Sequence, residues 1–403
     1  RKLAFDIIDL MSNKRVPHYA EGHKIRFIAR DLPPLGYKKY QIVPTEKTRK
    51  TTNSDLILTD NSIENRYFQV VFDQNIGLVS EIIDKSTGRN IIGKSDKYGF
   101  ARGYVKRGTQ NEEFSAVAQS APQLILVDER PVRLIMRLRY DNELYESTDY
   151  ILWSDVRRLD LHQTIDLQKL PNTDEIEEYG LAFPFELKKA LAEMEALGGF
   201  LCPETDRLPG IDHNAFSIRR TVALSNKSAS LIWASVDRRV LRLEYDNKRP
   251  VIISNVVNNF PPQWNRHQKN SGKLILRYSL MQTETGFDAG ATGKFGWEIL
   301  TNPMVQQGWF SKNEPGRSYF QIDNDNVNIL NLRKTDRQHK WQMELQNCNP
   351  AQPENVTIHS AFFSGKTIRQ IDLLGNTKKI IPVHDDKIRL LIPENTLFLI
   401  EIE

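Results

Sequence analysis

An all-β chain is the fold class this sequence predicts, on three observations. Short runs in which apolar and polar residues alternate recur along the whole length, separated by Gly, Pro, Asn and Asp. No helical patterns alternate with those runs, which excludes a parallel α/β sheet. Residues 318–403 hold seven such runs at the spacing of a small antiparallel sandwich.

Taken in order, residues 24–43 give two strands around Asp31-Leu32-Pro33-Pro34-Leu35-Gly36, since two prolines and a glycine belong in a connection rather than a central strand. Residues 44–55, PTEKTRKTTNSD, have almost no apolar side chain and read as a linker. A hairpin follows, 67–72 and 78–84, closed by the turn at 85–88. Further strands fall at 124–127, 132–140, 145–153 and 159–167. In the second of these Val132, Leu134, Met136 and Leu138 alternate with Arg133, Ile135, Arg137 and Arg139, as in an antiparallel sheet with one wet face. Residues 186–199, ELKKALAEMEALGG, have helical propensity and helical spacing of Leu187, Leu191, Met194 and Leu197, inside a β-rich context that can override it. Strands resume at 221–224, 229–235, 240–245, 251–257 and 273–282. Residues 283–317, rich in Gly and Pro, read as a loop and a domain boundary. The seven terminal runs lie at 319–322, 327–332, 341–345, 356–362, 368–373, 388–392 and 396–402.

Composition fits a globular chain. Of 403 residues 39% are hydrophobic and 26% charged, and at about 150 residues per domain the length suggests two or three domains. The net charge of +4 and the short basic runs at 47–50 and 378–379 give no nucleic-acid footprint. The acidic run 174–178 reads as an exposed loop. No stretch approaches the roughly 18 apolar residues of a membrane-spanning helix. Two cysteines, Cys202 and Cys348, leave one disulfide open and no cysteine-rich metal site. The chain begins Arg1-Lys2-Leu3-Ala4-Phe5, without Met or signal peptide, and is expected to be a piece of something longer.

The search for chemistry is sparse. None of the eight histidines makes a His-x-x-x-His or Glu-x-x-His pair, and there is no Gly-x-Ser-x-Gly elbow or P-loop. Asp323-Asn324-Asp325-Asn326 looks like the start of a calcium loop but lacks the following Gly and distal Glu, so it reads as a hairpin turn. His213 beside Asp212 is a candidate acid–base pair or a plain loop residue. Asn258, Asn259, Phe260, Trp264 and Arg266 share one irregular stretch after an apolar strand. Amides bond sugar hydroxyls and indoles stack on sugar faces, so this stretch is a candidate glycan site, with a self-satisfied structural loop as the alternative. Trp233, inside an apolar strand, reads as core.

Five groups of residues share an order that resembles one family. They are Lys14-Arg15-Val16-Pro17-His18 with Leu32-Pro33-Pro34-Leu35-Gly36-Tyr37; Ile63-Glu64-Asn65-Arg66-Tyr67 with Gly77-Leu78-Val79 and Asp84-Lys85-Ser86-Thr87-Gly88; Glu177 and Ala182-Phe183-Pro184-Phe185 with Cys202-Pro203-Glu204 and Leu208-Pro209-Gly210; Asn258-Asn259-Phe260 and Trp264 with Leu276-Arg277-Tyr278-Ser279-Leu280; and Ile371-Asp372-Leu373-Leu374 with Pro393-Glu394-Asn395-Thr396-Leu397. Together they resemble the C-terminal portion of glycoside hydrolase family 38, the α-mannosidases, over nearly the whole chain. Two departures bear on subfamily: Phe260-Pro261-Pro262 intervenes before Trp264, and Gly375 stands where an acidic residue is usual.

The resemblance implies a β segment and linker over 1–55, a galactose mutarotase-like β-supersandwich over 56–290, and a linker with a smaller antiparallel β-sandwich over 291–403. Residues 186–199 would then be sheet. It also implies a retaining mechanism with two carboxyl groups and a zinc ion. These belong to an N-terminal catalytic barrel outside this sequence, so no catalytic residue, metal ligand or cofactor is assigned within it. The family's supersandwich lends a Tyr and an Arg to the substrate, for which Tyr104 and Arg238 or Arg239 are the nearest candidates. The implied partners are the catalytic domain of the same polypeptide and a mannose-containing glycan, with neither nucleic acid nor membrane. The compartment is open, with a secreted or periplasmic one preferred. Two rival functions stand beside this reading: a carbohydrate-binding module, and a mutarotase-like epimerase using His162 or His213 with a facing carboxylate.

Overall fold

A computed structural model describes residues 4–46, 54–73, 78–108, 113–141, 143–206, 215–261, 271–311, 313–335 and 340–403. The chain is all-β and its sheets are antiparallel throughout. It forms two compact units. One joins residues 1–52, 195–201 and 288–403; the other holds 53–194 and 202–287.

The 53–287 unit is built on two sheets. The first runs Ser115–Ala116, Arg102–Arg107, Glu177–Pro184, Arg249–Asn259, Val240–Asp246, Phe216–Ser217. The second, longer sheet includes Gln123–Arg130, Arg133–Arg139, Tyr145–Trp153, Leu159–Asp166, Lys273–Thr283, Ala229–Ser235 and Thr221–Asn226 in that spatial order. Period-two alternation turns Phe183 of the first sheet towards Trp233 and Tyr278 of the second, with ring centroids 5.6 and 5.0 Å away. Two tyrosine hydroxyls cross between the sheets as well. Tyr278 donates to Ser254 Oγ at 3.0 Å and Tyr145 to the Gly180 carbonyl at 2.8 Å. Gly103 is required beneath that contact, because a Cβ there would lie 2.1 Å from the Tyr145 ring. Trp233 is fully buried, as its apolar strand predicted.

The alternation in 132–140 also holds, with Leu134, Met136 and Leu138 buried. Its outward arginines are paired rather than simply wet: Arg133 reaches Asp128 at 2.5 Å and Arg137 clamps Asp149 at 2.5 and 2.8 Å. Residues 186–199 contain a strand, Leu191–Glu195, paired with Thr221–Asn226. Burial of Ala192 and Met194 on that sheet outweighs the helical propensity of the segment.

In the other unit Ala4–Asp9 lies between Lys14–Val16 and Tyr40–Thr45, and Gly36–Lys38 pairs with Gly316–Ser318. Lys38 and Asp9 form a nearly buried ion pair at 2.9 Å. The C-terminal sandwich faces a five-stranded sheet (Val327–Lys334, Trp341–Asn347, Leu397–Ile402, Ile368–Ile371, Thr377–Ile381) against a three-stranded one (Gln321–Ile322, Glu354–His359, Lys387–Ile392). Met343, Leu345, Ile358, Ile388 and Ile400 are at its centre.

Two expectations are corrected here. The stretch 283–317 is not loop throughout: Ala289–Leu300 is an α-helix, N-capped by Asp288, whose Oδ1 accepts from Ala291 N at 2.9 Å. Its glycines are packing devices, since a Cβ on Gly290 would come within 2.7 Å of the Asp325 carbonyl oxygen. And 323–326 does not close a hairpin. Gln321–Ile322 pairs with Glu354–His359 while Val327–Lys334 pairs with Trp341–Asn347, so the turn carries the chain from one sheet of the sandwich to the other.

Candidate functional site

Four strands of the first sheet bring charged and amide groups together. Arg102–Arg107 supplies Lys106 and Arg107, Glu177–Pro184 supplies Glu177 and Glu178, Val240–Asp246 supplies Arg242, and Arg249–Asn259 supplies Asn255, Asn258 and Asn259. The register aligns Glu178 with Lys106 and Asn258, and Glu177 with Arg107 and Asn259. Successive residues of a strand face opposite sides, so the two glutamates stand on opposite faces.

Glu178 is the centre of the larger cluster. Arg242 donates to both its oxygens, at 2.9 and 2.7 Å. Lys106 Nζ is 3.4 Å away, and Asn255 donates to it at 3.3 Å and to Asn258 Oδ1 at 3.0 Å. Burial pushes the Glu178 carboxyl up, but the Arg242 bonds and the Lys106 charge outweigh it and hold the group below the usual glutamate value. The result is a fixed anion served by two cations. On the opposite face Glu177 accepts from Arg107 at 3.0 Å, Tyr179 at 2.9 Å and Asn259 at 2.9 Å. Burial and the neighbouring Glu177 keep the Tyr179 hydroxyl protonated.

This arrangement suits recognition of a hydroxyl-rich or anionic ligand. It does not suit the acid and nucleophile of a retaining glycosidase, which need two carboxyl groups about 5–5.5 Å apart on one cleft. Among the described residues no three His, Cys, Asp or Glu side chains converge to hold a metal, so the zinc implied by the resemblance has no fitting donor set here.

The sequence candidates are placed as follows. Asn258 is exposed and belongs to the Glu178 cluster. Asn259 is buried, and its amide is used by Glu177 and the Pro171 carbonyl. Tyr104 is buried on the same sheet. Its hydroxyl donates to the Lys97 carbonyl at 2.9 Å and accepts from Gly99 N at 2.7 Å, which leaves it committed to the backbone. Arg238 and Arg239 lie in the connection before Val240–Asp246, where their carbonyls accept from Ser235 Oγ and Ile218 N. Neither carbonyl contact joins the Glu178 cluster. His213 and Trp264 lie outside the described residues.

His162 stands in a cross-strand row of charges, between Asp149 and Arg277 in the register of the long sheet. Asp149 is clamped by Arg137, and Asp237 by Arg277 at 2.8 and 3.0 Å, so both carboxylates are engaged. Burial lowers the pKa of the His162 imidazole and favours its neutral form.

Glu178, Arg242 and Lys106 were not singled out from the sequence, where 174–178 reads as an exposed loop. The signal that was available is the alternation of 177–184, which continues the acidic run directly into a strand.

No family model matches this sequence, and no curated protein matches it. Solved structures do. An α-mannosidase from Enterococcus faecalis V583 is similar over 100% of this chain and 51% of its own, with TM-score 0.74 and 11% identity. A protein in glycosyl hydrolase family 38 from Enterococcus faecalis is similar over 100% and 53%, with TM-score 0.72 and 11% identity. A galactose mutarotase-like protein from Lactobacillus casei covers 57% of this chain at TM-score 0.36, too low to carry an argument. The chain thus spans about half the length of the mannosidase structures it matches, and its fold is related to that half of glycoside hydrolase family 38.

Proposed function

We propose that this chain is the non-catalytic β region of a retaining, zinc-dependent α-mannosidase-like glycoside hydrolase, supporting a catalytic barrel and contacting its glycan. The observation that carries the reading is the match of the entire chain to about half of an α-mannosidase at TM-score 0.74. Two features support it. Glu177 and Glu178 point to opposite faces and are neutralised by cations, which suits a supporting role. Residues 301–311 carry Met304, Val305 and Trp309 fully or almost fully in water, at 101, 87 and 104% exposure, as expected of a strap that a further domain covers.

The gene decides the matter. The coding sequence upstream of Arg1 is expected to encode a domain with a His-x-Asp pair among its zinc ligands. A reading frame that opens at Arg1 would overturn the proposal. So would hydrolysis of an aryl α-mannoside by the 403-residue chain alone, abolished by a chelator.

A further inference from the structure

The C-terminal sandwich has a pocket of about 320 Å³. Its walls are Tyr319, Trp341 and Phe362, and its polar rim is Arg317, Gln321 and His359. That volume lies at the small end of ligand sites, about 300–1,000 Å³, the size for one ring rather than a chain. Tyr319 and Phe362 are 49 and 37% exposed, which leaves part of each ring open to a ligand.

The walls are held in place. Ser360 caps the single turn Ala361–Phe363, its Oγ accepting from Phe362 N at 3.1 Å and donating to the Tyr319 carbonyl at 2.7 Å. Trp341 meets Phe362 edge-on at 5.6 Å. Arg317 lies over the Tyr319 ring at 5.4 Å. The rim is set by strand pairing: Gln321 is the direct cross-strand partner of His359, which puts an amide and an imidazole side by side on one face. Neither side chain has a partner among the described residues.

A pyranose has the complementary chemistry. One face presents C–H bonds, which suit an aromatic wall, and the ring edge presents hydroxyls that both donate and accept. Gln321 offers both functions, His359 adds its ring nitrogens, and Arg317 adds donors. We infer that this pocket binds a neutral hexopyranose, stacked on Trp341 and Phe362 with its hydroxyls on Gln321 and His359. This goes beyond the reading above and does not depend on it.

The test is titration of the full chain with methyl α-mannoside and mannotriose, followed by calorimetry and by Trp fluorescence. Saturable binding at millimolar sugar is expected. Phe362→Ala should weaken it about tenfold, the loss of one aromatic face. Trp341→Ala reaches into the core, so its result counts only if its thermal melt matches wild type. The exposed pair His359→Ala and Gln321→Ala provides the control that keeps the fold, with a loss of about threefold each. Silence at 20-fold millimolar excess, or binding that none of the pocket variants changes, overturns the assignment. So does saturation by an apolar dye that sugar cannot displace, which would mark the pocket as a seat for an apolar side chain. Failure here leaves the upstream-gene test of the mannosidase reading untouched.

Discussion

Glu178 and Glu354 solve the same problem in opposite ways. Each is a strand glutamate largely removed from water, and each is held below the ordinary glutamate value despite burial. Glu178 is held by cations, Arg242 and Lys106. Glu354 is held by amides alone: Asn326 and Asn349 donate to one oxygen at 2.8 and 2.7 Å, and Asn324 donates to the other at 2.8 Å. The amide oxygens are fixed elsewhere, on Gly290 N, Ala351 N and Asn326 N. Each amide therefore turns its NH₂ to the carboxylate, and the cluster that looked like a calcium loop in the sequence is a cage of donors with no place for a cation. The difference teaches what each region is for. Amides lock three segments around one charge, whereas the cations join Glu178 to strands on either side of its own, Arg102–Arg107 and Val240–Asp246.

The sharpest way to break this comparison is Glu354→Leu, which takes the acceptor from three half-buried amides and leaves Asn324 with another, the Asn355 carbonyl. A loss of about 4 kcal/mol in the C-terminal sandwich is expected, at 1–3 kcal/mol per unsatisfied group. Hydrogen exchange of the strand Glu354–His359 reads it locally, and a loss below 1 kcal/mol would show the cage to be ornamental. Arg242→Met should cost about 2 kcal/mol in the 53–287 unit, less than a fully buried pair because Arg242 and Glu178 keep some water. Salt separates the two. In 1 M NaCl, where the screening length is about 3 Å, the Arg242→Met penalty should shrink by half, while that of Glu354→Leu stays constant in urea titrations.

Acid affects both in the same direction. A depressed folded pKa adds stability that is present above the ordinary value of 4.5 and is lost as pH falls through the folded value. Glu178→Gln and Glu354→Gln should therefore differ most from wild type near pH 7 and converge on it towards pH 3. A constant gap across that range would mean the carboxylates contribute only shape. The smallest effect belongs to Asn255→Ala, about 1 kcal/mol for two bonds of 3.3 and 3.0 Å at the edge of the cluster, measurable by calorimetric melting.

Much of the fold was legible because period two is written in single residues. Leu134, Met136 and Leu138 declare their face, and Phe183 and Trp233 declare a core. What was hidden depends on partners far along the chain. Gly290 and Gly293 argue against a helix until Asp325 and Asn328 are seen packed against them. The acidic run ending at Glu178 looks solvated until Lys106 and Arg242 arrive from two other strands. Asn258, a candidate for its amide, does belong to that cluster, but Tyr104, the nearest match to the Tyr that the resemblance implies, has its hydroxyl spent on backbone, which only the structure shows. Gln321 and His359 are 38 positions apart in sequence and adjacent only through register.

The pairing of Gly36–Lys38 with Gly316–Ser318 has a consequence in time. Tyr37 donates to Glu314, a residue 277 positions later. A ribosome working at about 5–20 residues per second needs on the order of 10–60 s to cover that distance. Through that interval Ala4–Asp9 already has Lys14–Val16 and Tyr40–Thr45 to pair with, but Gly36–Lys38 waits for its partner, while everything from residue 53 to 194 and from 202 to 287 has already emerged. The unit of residues 53–194 and 202–287 can therefore fold during synthesis before residues 288–403 of the other unit exist. The delay falls on Gly36–Lys38, whose edge stays open to chaperones and proteases until Gly316–Ser318 follows.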